Sequence, residues 1–218
     1  MLIQCLGHSK FLLTLMSGFR IVTDPFDAST GYPIGHTKAD AVLVSHHHGD
    51  HDAVDTIEGY TAVIDTPGLH TLGKDIQVHS LESFHDDQHG ALRGTNLIHC
   101  VRTEGLCIVH LGDLGHIPDT ELRDQIGLPD ILMIPIGGHY TVDAGTALQI
   151  CDMLKPKIIL PMHYKTAFNS DWPISGPEEF LELCVKHYGA QPEHLDVLRV
   201  TEGDLSCQPH VAVLRAQV

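Results

Sequence analysis

The run His46-His47-His48-Gly49-Asp50-His51 packs four histidines and a carboxylate into six positions. It directly follows Ala41-Val42-Leu43-Val44, an apolar run that reads as a buried strand, with Ser45 ending it. In extended backbone His46 and His48 project to one side and His47 to the other, because side chains alternate with a period of two. The first two can therefore bind one cation together. Gly49 permits a sharp turn, after which Asp50 and His51 reach round from the far side of the loop. Imidazole suits zinc, iron or manganese. A carboxylate in the same set favours an open, reactive centre over a closed structural one. The plain alternative is a solvated histidine-rich loop, and the position directly after a buried strand argues against it.

Three more ligand-type residues recur at the same kind of place. His85 follows Ser83-Phe84, Asp113 follows the apolar run 106–110, and His163 follows 158–160 within Pro161-Met162-His163-Tyr164. Strand ends in layered α/β folds are where sites are built. A single loop histidine usually does no more than face water; three such residues, each just past a strand, are much harder to dismiss.

The elements that must position these residues are legible from the hydrophobic pattern. Strands are expected at 2–6, 11–15, 19–23, 41–44, 62–64, 76–79, 96–102, 106–110, 131–134, 157–160, 195–200 and 211–214. Helices are expected at 119–126, at 143–154 with Asp143 as N-cap, and at 177–188 ended by Gly189. The first half is strand-rich and the second alternates strands with helices. That order predicts two sheets packed together with helices outside, in one domain spanning 1–218, with no repeat or linker.

Composition narrows the chemistry. The 18 histidines outnumber the 13 lysines and arginines, and histidine is the commonest metal ligand. A net charge of −15 repels phosphate backbones, so nucleic acid is not an expected partner. Bound divalent cations would still make one pocket locally positive. A hydrophobic fraction of 43% and a charged fraction of 19% are ordinary for a folded domain. Apolar runs such as 131–136 are too short for a bilayer, and Met1-Leu2-Ile3-Gln4 does not read as a signal peptide. The six cysteines, at 5, 100, 107, 151, 184 and 207, form no Cys-x-x-Cys pair. They read as buried, reduced thiols, which points to the cytoplasm.

Taken in order, His46-x-His48-x-Asp50-His51 followed by His85, Asp113 and His163 resembles the metallo-β-lactamase superfamily. The segments His110-Leu111-Gly112-Asp113-Leu114-Gly115-His116, Pro135-Ile136-Gly137-Gly138-His139-Tyr140-Thr141 and Pro161-Met162-His163-Tyr164 are similar to its small single-domain hydrolases of the ascorbate-6-phosphate lactonase kind. Gly7-His8-Ser9 and Thr23-Asp24-Pro25 also fit. The resemblance covers nearly the whole chain. It implies an α/β fold, a four-layer αββα sandwich with the metals at one edge. His46, His48 and His85 would hold one of two divalent ions, and Asp50, His51 and His163 the other, with Asp113 bridging. Zinc is the first expectation, and manganese or iron suits the same set. The stretch Asp52-Ala53-Val54-Asp55 stands where glyoxalase-II-like and lactamase-like members carry glycines. The long arm of the tRNA-processing members has no evident room. Both departures weaken those specific activities.

The chemistry implied is hydrolysis of a small ester, lactone or phosphodiester by a metal-bridging hydroxide, with Asp50 orienting the nucleophile. His110 and His139 are candidate proton donors, and His116 is a donor or an orienting partner. Asp24 is expected to hydrogen-bond a ligand histidine. His8 either lines the pocket or caps a turn, and Tyr140 and Lys165 are candidates for an anionic group of the substrate. Two other readings stand beside this one. The first is a metal- or ligand-binding module without turnover. The second is a di-iron redox protein, whose usual appended flavin domain has no space in 218 residues. The expected partner is a small molecule, with no membrane, and the sequence leaves a homo-oligomer open.

Overall fold

The structure, a computed structural model, describes residues 1–189, 191–206 and 208–218. In chain order the elements are β1 (Leu2–Gly7), β2 (Lys10–Thr14), β3 (Arg20–Thr23), β4 (Thr37–Lys38), β5 (Ala41–Leu43), β6 (Ile57–Glu58), β7 (Ala62–Ile64), β8 (Gly68–Gly73), β9 (Ile76–Phe84), β10 (Thr95–Thr103), β11 (Leu106–His110), α1 (Thr120–Ile126), β12 (Ile131–Pro135), α2 (Ala144–Leu154), β13 (Ile158–Met162), α3 (Glu178–Tyr188), β14 (Glu193–Leu195), β15 (Leu198–Arg199) and β16 (His210–Leu214). One sheet has the order β15-β1-β2-β3-β5-β7 and the other β14-β16-β13-β12-β11-β10-β9-β8, with β4 and β6 forming a separate pair.

Period-two alternation assigns the faces. On β12, Ile131 and Met133 pack with the residues of the first sheet, while Leu132 and Ile134 pack with the helices. Ile108 and Leu160 turn inward and Val109 and Ile159 outward in the same way. Each aliphatic side chain buried so completely contributes about 1.5–3 kcal/mol. The helices dock by their apolar stripes: Ala147, Ile150, Cys151 and Leu154 of α2 join Phe180 and Cys184 of α3. Asp119 and Asp143 cap α1 and α2 by accepting from Leu122 N and Thr146 N, and Gly189 ends α3 with φ 75°.

The αββα order is present with one layer reduced. Among the described residues all three α-helices lie on the second sheet. The outer face of the first, with Val22, Val42 and Val44, is covered by Ala39, Ile57 and the 3-10 turn Val54–Thr56. Two strand expectations change, and one strand was not expected. The run 195–200 is not one strand: Leu195 pairs with β16 in the second sheet and Leu198 with β1 in the first, so the chain crosses between sheets there. The strand expected at 76–79 runs on to Phe84, through Ser80 and Ser83, whose buried hydroxyls bond His99 and the Asn96 carbonyl. Strand β8 escaped notice because it is a half-exposed edge strand bounded by glycines.

No described helix is long and apolar enough to cross a membrane. Cys5, Cys100, Cys107, Cys151 and Cys184 are free and buried; the same reading of Cys207 falls outside the described residues.

The topology fixes where chemistry can occur. β3 and β5 are parallel, as are β11, β12 and β13, and β9 runs with β11 because both are antiparallel to β10. Their C-terminal ends share one edge, and Leu97 N donates to Ser45 O across the two sheets there.

Candidate metal centre

The loops leaving β5, β9, β11 and β13 converge at that edge. Three groups of ligand atoms form, each with its atoms within 4.8 Å of one another: His46, His48 and His85; His8, Asp50, His51 and His163; and His46, His51 and Asp113. Asp113 connects them. Its Oδ2 lies 3.2 Å from His85 Nε2 and 3.0 Å from His163 Nε2, and its Oδ1 lies 3.3 Å from His51 Nε2. All seven residues expected to hold metal are thus brought to one place. His8 joins them from the turn between β1 and β2, its Nε2 3.4 Å from Asp50 Oδ2 and its ring 4.2 Å from that of His163.

Local backbone explains the arrangement in a way that differs from the sequence argument. β5 stops at Leu43, and residues 45–48 form bends rather than strand. The rings of His46 and His48 still meet, 4.6 Å apart, and His47 points outward toward Asp52. Gly49 does not take a positive φ. Its role is space: a Cβ there would stand 2.5 Å from Asp27 Oδ2. Strain sits elsewhere. His8, Asp24, His139 and His163 all have φ between 37° and 56°, a region that costs an L-residue roughly 1–2 kcal/mol. Such outliers cluster where surrounding structure over-determines a site.

A frame of hydrogen bonds orients the ligands. Asp24, fully buried, accepts from Ser45 N at 2.8 Å, Ser45 Oγ at 2.7 Å and His51 Nδ1 at 2.8 Å. Ser45 Oγ also lies 2.9 Å from His46 Nδ1. His85 Nδ1 donates to Tyr140 O, and Asp113 N donates to Asn96 Oδ1. Asn96 is held in turn by Ser83 Oγ and Leu111 O. Asp86 accepts four backbone N–H groups, from Gln88, Gly90, Leu92 and Arg93, and so shapes the loop after His85.

These partners leave the inward atoms free. His46 Nε2, His51 Nε2, His163 Nε2 and Asp113 Oδ1 are buried without a hydrogen-bond partner. Orphaned buried polar atoms cost about 1–3 kcal/mol each, and four of them converging is the arrangement a cation would satisfy. Electrostatics agree. Burial, with His51 beside it, pushes His46 down to about 3, so it is neutral and ready to ligate. Burial acts to raise the Asp113 and Asp24 carboxyls, but neighbouring histidines outweigh it and both stay below the usual carboxylate range.

The other expected residues separate. His110 does not present a nitrogen to the pocket: Nε2 donates to Ser9 O and Nδ1 accepts from Gly112 N, so it ties strands together. His116 is likewise spent, accepting from Phe84 N and donating to Ile117 O. Neither geometry suits a proton donor. His139 is exposed and packs edge-on against Tyr140. Lys165 lies beyond His163 with its N–H bonded to Ser175 O. Asp24 takes the place expected of it, against His51. Ser45, Asn96, Asp86 and Trp172, whose ring is 5.3 Å from that of His8, were not singled out from sequence. Ser45 reads in sequence only as the end of a strand and Asn96 only as the first residue of one, and only the Asp86-x-x-x-Gly90 loop pattern offered a signal.

A two-sheet sandwich carrying a carboxylate-linked histidine cluster at its edge defines a class of metalloprotein, and relatives agree. The profile of the β-lactamase superfamily domain matches residues 2–163. A metal-dependent hydrolase of Thermococcus onnurineus is 31% identical over 212 residues, 83% of this chain and 91% of that protein. A Thermotoga maritima structure, described as a candidate zinc-dependent hydrolase of the metallo-β-lactamase superfamily, matches with a TM-score of 0.77 and 31% identity over 98% of both chains. A metallo hydrolase from Ignicoccus hospitalis shares the fold, with a TM-score of 0.71 at 21% identity over 92% of this chain and 99% of that one. The chain belongs to the metallo-β-lactamase superfamily, among its metal-dependent hydrolases.

Proposed function

We propose that the chain hydrolyses a small ester, lactone or phosphodiester with two divalent cations, zinc first among them. His46, His48 and His85 would hold one cation and Asp50, His51 and His163 the other, with Asp113 placed between the two groups. The reading is carried by one observation: Asp113 stands within 3.0–3.3 Å of histidines from both groups. Such cations supply Lewis acidity and a water acidified to near neutrality.

The chain's own groups set up that chemistry. Asp24 fixes His51 with its Nε2 aimed inward, and Ser45 does the same for His46. Asp50 points one oxygen at His51 and His8, where it can hold a water for attack as well as bind metal. His8, neutral because burial and His163 lower it to about 4, stands 3.4 Å from Asp50 Oδ2 and packs against the rings of His163 and Trp172. Of the expected proton donors only His139 keeps a ring free of hydrogen bonds among the described residues, at the exposed rim. The free, buried thiols support a reducing, cytoplasmic setting.

Asp113→Ala tests the reading. Metal content and hydrolysis of an ester, lactone and phosphodiester panel should fall together. Bound metal with no turnover by the parent protein would favour a binding module. Full metal content in the variant would refute the bridging role.

A further inference from the structure

A cavity of about 260 Å³ opens directly beside His46 and His48, and Arg93 lines it together with Thr95 and Leu97. Arg93 is anchored from below, since its backbone N–H donates to Asp86 Oδ2 at 2.8 Å. Its guanidinium is half-buried and lies over the Tyr140 ring, 5.7 Å from the centroid. Tyr140 is itself tied to the metal centre, because its carbonyl accepts from His85 Nδ1 at 3.1 Å.

The guanidinium makes no hydrogen bond or ion pair among the described residues. That is unexpected in a chain with 28 acidic and 13 basic residues, and more so because Asp65 and Glu82 line the same cavity. Both carboxylates are exposed on the rim, where water screens them. A planar fork of donors, held against an aromatic face and left without an anion, is pre-organised for a carboxylate or phosphate.

We propose that Arg93 is a specificity residue that binds an anionic oxygen group of the substrate while the scissile bond lies at the metals. The substrate is thus an ester, lactone or phosphodiester that also carries a carboxylate or phosphate monoester. This rests on the hydrolase reading of the same site. The group meets Arg93 by hydrogen bonds alone, with no covalent step. Tyr140 is a positioning residue that holds the guanidinium plane.

Two measurements test it, on metal-loaded protein and on Arg93→Met, which keeps side-chain length without charge. In the first, inorganic phosphate and acetate are titrated against the fluorescence of Trp172, the single tryptophan, whose ring lies 6.0 Å from that of Tyr140. One charge-assisted bidentate contact is worth about 10- to 100-fold in affinity, so the variant should bind the preferred anion that much more weakly. The stronger of the two anions identifies the group. Equal affinity in both proteins would overturn the proposal, whether or not any substrate turns over. In the second, kcat/KM is compared for matched esters with and without the anionic group. The variant should lose at least about tenfold on the anionic member, mainly through KM, and about twofold or less on the neutral one. Equal losses on both would place Arg93 in structure rather than specificity. Failure of the hydrolase reading would show differently, as no turnover by the parent protein on any member.

Discussion

Replacing Asp24 by Asn is the sharpest probe of how the frame acts on the metals. The carboxylate is not itself an expected metal ligand, yet it accepts three buried hydrogen bonds, two from Ser45 and one from the expected ligand His51. Asn keeps the volume and one acceptor oxygen but puts an NH₂ against a donor. At least one charge-assisted bond is lost, about 1.5–3 kcal/mol, and a donor is left facing a donor in a dry site. The His51 imidazole then loses the partner that aims Nε2 at Asp113. Partners of metal-binding histidines typically carry 10- to 100-fold in affinity, about 1.4–2.7 kcal/mol. The variant should therefore release the more weakly held metal at a roughly 10- to 100-fold lower concentration of competing chelator. Metal-free unfolding should show a stability loss of about 2 kcal/mol. Chelator titration with metal analysis, alongside denaturant melts, measures both. Unchanged metal affinity in a variant that has lost stability would refute the reasoning, because Asp24 would then act only as a buried tie between strands.

Asp50→Ala should lower hydrolysis by about 10²- to 10³-fold or more with the melting transition intact, whereas His47→Ala, pointing to solvent, should stay within about twofold; matched behaviour in steady-state assays would contradict the ligand geometry. Asn96→Ala removes the acceptor for Asp113 N and two further buried bonds, so denaturant unfolding should show a loss of about 2–4 kcal/mol together with lowered metal content. Burial pushes Cys5 up to about 11 and Cys100 and Cys184 to about 12, and also raises Cys107 and Cys151. At pH 8 these five thiols should react with a disulfide reagent far more slowly than in the unfolded chain, so two or more fast-reacting thiols in the native protein would count against their burial.

Much of the centre was legible because ligation demands particular residue types at strand ends. His46, His48, Asp50, His51, Asp113 and His163 follow strands whose apolar pattern is plain, His85 follows the less regular end of β9, and the fold brings all seven side chains together. What the sequence concealed is mostly polar residues doing buried work. Ser80 and Ser83 broke the apolar run of β9, so its length was underestimated. Ser45 looked like a strand end and Asn96 like an ordinary strand residue, although Ser45 bonds His46 and Asn96 the Asp113 backbone. The histidines near ligands in sequence were ambiguous for the opposite reason. His110, at the end of β11, and His116 flank the Asp113 loop, but backbone groups consume their nitrogens, a fact that depends on tertiary contacts. Gly49 was read through backbone freedom when the deciding factor is the close approach of Asp27. The break of 195–200 between two sheets has no local signal, since either half pairs as a strand.

Hydrolysis by a centre of two cations is tested by metal analysis of the purified protein with chelation and re-addition. The expected result is about two equivalents of transition metal per chain, with hydrolysis abolished by chelator and restored by zinc in proportion to occupancy. Fewer than about one equivalent after growth in metal-replete medium, or turnover indifferent to chelation, would contradict it.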